Sequence, residues 1–142
     1  MGWLRDRRVH AALVAVYAVA LGVLVAGPWG WALNRLTVWF YVRFRYDWPI
    51  APTWVSPDDW GVLLNVLLFV PLAALAALVT RWAWWWVTLA AALASGVIEL
   101  AQGAWLTREA SVQDVVANTL GALIGAAAVS LVRRVRRPPA AR

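Results

Sequence analysis

Four long apolar stretches constrain what this chain of 142 residues can fold into. They run over about residues 9–27, 60–80, 82–103 and 114–132. A helix needs about 20 apolar residues to cross the hydrocarbon core of a bilayer. Hydrophobic residues make up 63% of the chain, whereas soluble domains are roughly half apolar. The sequence therefore predicts one all-α domain, residues 1–142, folded as a four-helix transmembrane bundle.

Composition excludes several kinds of site within one chain. There is no cysteine, which rules out disulfides, thiolate metal sites and a cysteine nucleophile. His10 is the only histidine, so a histidine-built metal cage or catalytic triad is also excluded. We therefore expect no metal and no cofactor.

Thirteen arginines and no lysine produce the net charge of +6. These arginines stand at the ends of the apolar stretches, where membrane topology explains them better than nucleic-acid binding does. The alanine-rich, lysine-free composition resembles that of a protein from a high-GC bacterium. We expect a multi-pass protein of the bacterial plasma (inner) membrane that binds no nucleic acid.

Arginine placement predicts the orientation, because positive charge is retained on the cytoplasmic side of a membrane. An inside N-terminus puts nine arginines in the cytoplasm and four outside. The reverse topology would place the cluster at 133–137 outside. Both termini are therefore expected in the cytoplasm, with an extracytoplasmic loop over residues 28–59 between the first and second spans.

The sequence leaves two structures open for this loop. Charged and aromatic residues alternate from Arg43 to Trp48, which is compatible with a short strand. Alternatively, apolar residues at helical spacing form one face of a helix lying on the membrane surface; these are Leu33, Leu36, Phe40 and Phe44. Periodicity alone does not choose between them.

Three polar residues of the third span share one helical face. Ser95, Glu99 and Gln102 are spaced by four and three residues. A carboxylate inside a span costs at least about 2.5 kcal/mol on insertion scales. Glu99 lies near the outer end of its span, at a depth of roughly 6 Å given the helical rise. We expect this face to point into the bundle.

The fourth span repeats the pattern with Asp114, Asn118, Gly121 and Gly125, spaced by four, three and four residues. Ser111 precedes Asp114 by three, the spacing of a capping box that starts a helix. The glycine pair predicts that another helix approaches closely, either within the chain or in a homo-oligomer.

Polar residues of three spans converge on the outer half of the predicted bundle. The second span contributes Asn65 near its outer side, and Pro71 is expected to kink that helix. A purely structural alternative pairs Glu99 with Arg108 and uses the amides as hydrogen bonds between helices. The candidate ligand-binding residues are Asn65, Glu99, Gln102, Arg108, Asp114 and Asn118.

These residues together resemble the VanZ-like family over about residues 60–125. The resemblance rests on the run Asn65–Leu72, on Glu99 with Gln102, on Arg108, and on Asp114 followed by Asn118 and Gly121. Ala73 and Gln113 depart from the residues usual at those positions, a glycine and an acid respectively. The resemblance implies a small inner-membrane protein and an association with teicoplanin resistance.

Three functions follow as hypotheses. The leading one is a non-catalytic pocket, open to the outside, that binds the head group of a lipid or a lipid-linked cell-wall precursor. In it Arg108 contacts phosphate or carboxylate, a role suited to a guanidinium. An outer-leaflet enzyme with Glu99 and Asp114 as acid–base carboxylates is the alternative, although the sequence shows no strong nucleophile. A small oligomeric transporter is the third.

Overall fold

A computed structural model describes residues 7–26, 30–105 and 111–136, and all regular structure in these residues is helical. The five α-helices are α1 (Arg7–Ala26), α2 (Gly30–Val42), α3 (Pro57–Thr80), α4 (Trp84–Trp105) and α5 (Val112–Val135). A π-helical turn, Arg43–Asp47, continues α2. The predicted all-α class is confirmed for the described residues.

Within the described residues, three helices are long and apolar enough to cross a membrane. They are Pro57–Thr80, Trp84–Ala104 and Val112–Val135, with mean hydropathies of 2.7, 1.4 and 2.0. In α1 the described apolar stretch, Ala11–Ala20, is shorter. Length and composition thus support three of the four predicted spans, and the span in α1 stays a prediction.

Local capping sets the bounds of α3. The Ser56 hydroxyl accepts a hydrogen bond from the Asp59 backbone N–H, and the Asp59 carboxylate accepts one from the Ser56 N–H. This capping box starts α3 three residues before the predicted span. Arg81 ends the helix in a left-handed conformation, φ 60°, with its N–H donating to Ala77 O. The turn that follows delays the start of α4 to Trp84.

Helix α5 lies between α3 and α4, which contact each other little. Gly121 faces Val66 and Gly125 faces Val70, so α3 and α5 run parallel. Ser111 at the start of α5 hydrogen-bonds to Glu99, and Asn118 further along α5 hydrogen-bonds to Ser95, which comes earlier in α4. Helices α4 and α5 therefore run antiparallel. The starts of α3 and α5 and the end of α4 therefore meet at one end of the bundle, which we call the polar end.

Gly121 and Gly125 form what we call the glycine contact. A Cβ atom on either residue would collide with a backbone carbonyl oxygen of α3, that of Val66 or that of Val70. Only glycine permits this approach of two backbones, which in membranes replaces the hydrophobic drive for helix association. The predicted close approach is confirmed, and its partner is α3 of the same chain.

Helix α1 packs on α3. The Tyr17 hydroxyl donates a 2.8 Å hydrogen bond to the Leu68 carbonyl oxygen. Leu68 lies three residues before Pro71, whose ring and missing N–H weaken the backbone ladder of α3 at this turn. The carbonyl that loses its helical donor to Pro71 is that of Leu67, so the Tyr17 bond joins α1 to this turn without replacing the missing bond. This bond places the middle of α1 beside the middle of α3.

The segment predicted as a loop before α3 contains α2, so the strand alternative is wrong. The helix is confirmed, and its position on the membrane surface stays a prediction. Phe40 and Phe44 stack on Trp60 with ring centroids 5.6 and 5.1 Å away. These rings pack α2 and its π-helical turn against the start of α3. The aromatic residues bury one helical face, which is why the helix forms in place of a strand.

The burial pattern of α4 is inverted relative to that of a water-soluble protein. Leu100 is 72% exposed, and Leu93 and Val97 are exposed on the same face. Ser95, Glu99 and Gln102 are buried, and Glu99 is only 7% exposed. An apolar outer face around a polar interior is stable where the surrounding medium is hydrocarbon. The fold and the helix lengths together indicate a membrane protein.

Candidate functional site

Seven polar residues from three helices gather at the polar end. We call them the polar cluster: Asn65, Ser95, Glu99, Gln102, Ser111, Asp114 and Asn118. Helix α4 contributes three of them on one face, in the phase that their spacing predicts. Five of the six predicted site residues belong to this cluster. The sixth, Arg108, lies outside the described residues.

Glu99 connects α4 to the start of α5. Its Oε2 accepts a 2.8 Å hydrogen bond from the backbone N–H of Ser111, the N-cap residue of α5. The first N–H groups of a helix lack partners within the helix, and the N-terminus attracts negative charge. The buried carboxylate thus meets a donor and a favourable helix dipole, and it holds the end of one helix against the beginning of the next.

The cap at Ser111 differs from the capping box expected from its spacing. Its hydroxyl accepts from the Asp114 N–H at 3.2 Å, as in a capping box. The return bond, from the Ser111 N–H to the residue at the third helical position, is replaced by the bond to Glu99. Glu99 therefore takes the place that Asp114 would occupy, and the Asp114 carboxylate is released for another partner.

That partner is Asn65 on α3. Its Nδ2 donates a 2.9 Å hydrogen bond to Asp114 Oδ1, and both side chains are partly buried. This bond extends the cluster from α5 to α3, on the other side of α5 from Glu99. A chain of polar contacts consequently crosses the bundle through Asn65, Asp114, Ser111 and Glu99.

Asn118 lies one turn deeper than Asp114 and faces α4. Its Nδ2 donates a 2.8 Å hydrogen bond to the Ser95 hydroxyl oxygen, and Ser95 is almost completely buried. Its other amide atom, Oδ1, is buried and has no hydrogen-bond partner among the described residues. Buried acceptors are normally paired, so this atom offers a free position to a donor.

The cluster contains two carboxylates, and within the described residues neither forms an ion pair. Arg43 and Asp47 make the one salt bridge found there, in the π-helical turn after α2. Gln102 is buried on the same α4 face as Glu99. The predicted pairing of Glu99 with Arg108 stays a prediction, because Arg108 is outside the described part of the chain.

A cavity of about 340 Å³ opens beside the start of α3, at the polar end. Its walls include Ile50, Trp54, Trp60 and Leu63. The indole N–H of Trp60 is buried and finds no acceptor among the described residues. The polar end thus combines an apolar, aromatic-lined space with a buried donor that has no partner.

Sequence reasoning placed the side chains of the cluster but missed two contacts to the backbone. It treated Ser111 only as a helix cap, whereas its N–H is the partner of Glu99. It also overlooked Tyr17, which bonds to the turn before Pro71. A lone tyrosine in an apolar stretch and a proline in a neighbouring one were the available signals for that second contact.

The cluster offers hydrogen-bonding groups from three helices. Carboxylates and amides at one depth hydrogen-bond donors such as hydroxyl, amide and ammonium groups. The described residues contain no group of three or more acids or histidines placed to hold a metal ion. The geometry is that of a small polar cluster between helix ends.

Comparison with known proteins agrees with the motif pattern. The VanZ/LLP1 family profile matches residues 13–133. This range extends the resemblance from the three long spans to most of α1. No significant match is found to a curated protein or to a solved structure. Since the profile covers most of the chain, the protein belongs to the VanZ/LLP1 family.

Proposed function

We propose that this chain is a four-span protein of the bacterial plasma membrane whose polar cluster binds a polar head group at the outer leaflet. The ligand class is a lipid or a lipid-linked cell-envelope precursor. Asn65, Asp114 and Asn118 contribute hydrogen bonds, Gln102 extends the polar surface, and Arg108 contacts the phosphate. Glu99 holds the start of α5 through Ser111, and its negative charge orients Arg108 or accepts a hydrogen bond from a sugar hydroxyl.

The observation that carries this proposal is the presence of two carboxylates in one cluster that has no described counter-ion. Helix packing alone is served by hydroxyls and amides, as in the Ser95–Asn118 pair. A carboxylate costs more to insert than these neutral groups. The presence of both Glu99 and Asp114 at one depth therefore favours a role in recognition.

The four-span topology is supported by two features. The Tyr17–Leu68 hydrogen bond sets α1 beside α3 at mid-helix, as expected if both cross the same bilayer. Under the predicted orientation, Arg81 and Arg133 lie at the cytoplasmic end of the bundle and the polar end faces outward. The aromatic-lined cavity at that end suits the apolar part of an amphiphilic ligand.

Protection against teicoplanin-type glycopeptides is proposed as the cellular readout of this binding. It rests on the family membership and on the predicted outward placement of the cluster. The enzyme hypothesis gains no support from the geometry, since one oxygen of Glu99 is occupied by the Ser111 N–H. The transporter hypothesis loses its proposed interface, since the glycine contact is used within the monomer.

Head-group binding is tested by native mass spectrometry of the full-length protein in detergent micelles. Undecaprenyl phosphate and an undecaprenyl diphosphate-linked disaccharide serve as probes. We expect the wild type to retain the disaccharide-linked probe, whose sugar hydroxyl and amide groups donate to Asp114, and Asp114→Asn and Arg108→Ala to lower its retention about tenfold. Gln113→Ala, next to Asp114 but exposed, is the matched control and should retain the probe. Equal retention by Asp114→Asn and the wild type would contradict the proposal.

A further inference from the structure

The turn between α3 and α4 places an arginine where a glycine is expected. Arg81 has φ 60°, and it is the one residue other than glycine with a positive φ in the described ranges. Glycine, or sometimes asparagine, usually ends a helix in this left-handed conformation because a Cβ atom is strained there. An arginine kept in a strained position indicates that its side chain has a task.

No described residue engages that side chain. The residue is exposed, and its only hydrogen bond within the described part of the chain is the one that its backbone N–H donates to Ala77 O. Arg133, at the same end of the bundle, differs: its Nη2 donates to the carbonyl oxygens of Ala77 and Leu78, at 2.7 and 3.4 Å. Arg133 therefore caps α3, and the guanidinium of Arg81 is available to a ligand.

Both neighbours of Arg81 line an apolar groove between α3 and α4. Thr80 and Trp82 stand at its mouth, and its walls include Leu72, Ala76, Val87 and Ala90. The cavity measures about 160 Å³. It extends along α3 to Phe69, roughly 16 Å from the helix end at the usual rise per residue. The groove thus runs from the arginine into the hydrocarbon zone.

We propose that this α3–α4 groove seats one acyl chain of an anionic phospholipid, whose phosphate is bound by Arg81. Within a bilayer, the abundant occupant for an apolar groove open to lipid is an acyl chain. Charge complementarity selects the head group, because a guanidinium pairs bidentately with phosphate. The exposed Trp82 suits the interface region where head groups lie.

This site is separate from the polar cluster. Thr80 lies fifteen residues after Asn65 on α3, which corresponds to roughly 22 Å along the helix. The inference depends on the helices being in a membrane, but it needs neither the ligand nor the residues proposed for the polar end. Glu99→Gln should therefore leave binding at the groove unchanged.

The test compares palmitoyl-oleoyl phosphatidylglycerol with the phosphatidylcholine of the same chains, each added at equal concentration to the full-length protein in detergent micelles. Native mass spectrometry counts retained lipid. We expect the wild type to prefer phosphatidylglycerol about tenfold. Arg81→Gly and Arg81→Gln should remove that preference, and Arg81→Gly should not lower the melting temperature, since glycine relieves the backbone strain. Arg134→Gln, which changes an exposed arginine outside the groove, is the control and should retain it.

The groove itself is tested with Ala90→Phe, which places a ring in the groove from its exposed rim. We expect retention of both lipids to fall. Equal retention of the two lipids by the wild type would overturn the proposed role of Arg81, as would an unchanged preference in both Arg81 variants. The latter result would assign Arg81 to membrane topology alone. Retention at the wild-type level in Ala90→Phe would overturn the groove as the seat of the chain.

Discussion

Helix α5 makes two unlike contacts, and the difference separates fold from function. Toward α3 it presents Gly121 and Gly125, which allow the two backbones to touch. Toward α4 it presents the start of the helix and Asn118, which hydrogen-bond to Glu99 and Ser95. The glycine contact brings two helices together because neither glycine has a side chain. It therefore offers no side-chain group that could bind a ligand. The polar cluster holds helices with groups that are also able to bind a ligand.

The comparison also explains the parallel arrangement of α3 and α5. Both helices begin at the polar end, where their N-terminal dipoles favour the carboxylates Asp59, Glu99 and Asp114. Both end where Arg133 donates to the last carbonyl groups of α3. Acids at the helix starts and arginines at the helix ends therefore follow both the dipoles and the predicted membrane orientation.

We expect the largest loss of stability from a substitution that breaks the glycine contact. Gly125→Leu drives a side chain into the Val70 carbonyl, and we expect it to lower the free energy of unfolding by about 3 kcal/mol, as overpacking does at its upper range. The matched control is Gly96→Leu, because a Cβ at Gly96 meets nothing within 4 Å. Denaturation in detergent, followed by tryptophan fluorescence, measures both. Similar losses in the two variants would contradict the glycine contact.

We expect the next largest loss of stability from breaking the Glu99–Ser111 hydrogen bond that joins α4 to α5. Glu99→Ala leaves the Ser111 N–H without its acceptor, and we expect a loss of about 1–3 kcal/mol, the cost of an unpaired buried donor. Glu99→Gln keeps an acceptor oxygen in place and should lose clearly less. The same denaturation experiment compares them. If both variants lost the same stability, the hydrogen bond to Ser111 would not be what Glu99 contributes to the fold.

A smaller effect is expected for the Asn65–Asp114 hydrogen bond, through which the polar cluster reaches α3. A double-mutant cycle with Asn65→Ala and Asp114→Ala should give a coupling energy of about 0.6 kcal/mol, and at most about 1.7, the range for hydrogen bonds between membrane helices. Pairing Asn65→Ala with Gln113→Ala provides the control, for which we expect additivity. Additivity in the Asn65–Asp114 cycle would show that their 2.9 Å contact does not stabilise the protein.

The smallest effect concerns the arginine end. Arg133→Gln removes a charged donor from the last carbonyls of α3, with an expected loss of about 0.3–1 kcal/mol. Arg134→Gln removes an exposed arginine of the same helix turn and should be close to neutral. Thermal denaturation in detergent distinguishes them. An equal response would indicate that the capping bond contributes nothing measurable.

The sequence predicted the parts of this fold that depend on helical phase. Ser95, Glu99 and Gln102 have the spacing of one helix face, and all three are buried together. Gly121 and Gly125 also share a face, and both contact α3. Phase gives the direction of a side chain but does not identify its partner, which is why the glycine contact was left open between the monomer and an oligomer.

The features that the sequence did not predict depend on the backbone and on tertiary packing. Glu99 bonds to a main-chain N–H of Ser111, and no side-chain pattern reveals a free backbone donor. The segment 30–47 supports both a strand and a helix pattern. Stacking of Phe40 and Phe44 on Trp60 decides for the helix, and that contact exists only after α3 is in place.

The most direct test of the claim that the polar cluster serves function is teicoplanin susceptibility in a bacterial host lacking its own homologue. Wild type and Glu99→Gln are compared at matched membrane abundance, because this variant keeps an acceptor for the Ser111 N–H but removes the charge. We predict that the wild type protects and that Glu99→Gln does not. Equal protection by the two would contradict the claim and assign Glu99 to helix packing, whereas no protection by the wild type would contradict the proposed resistance.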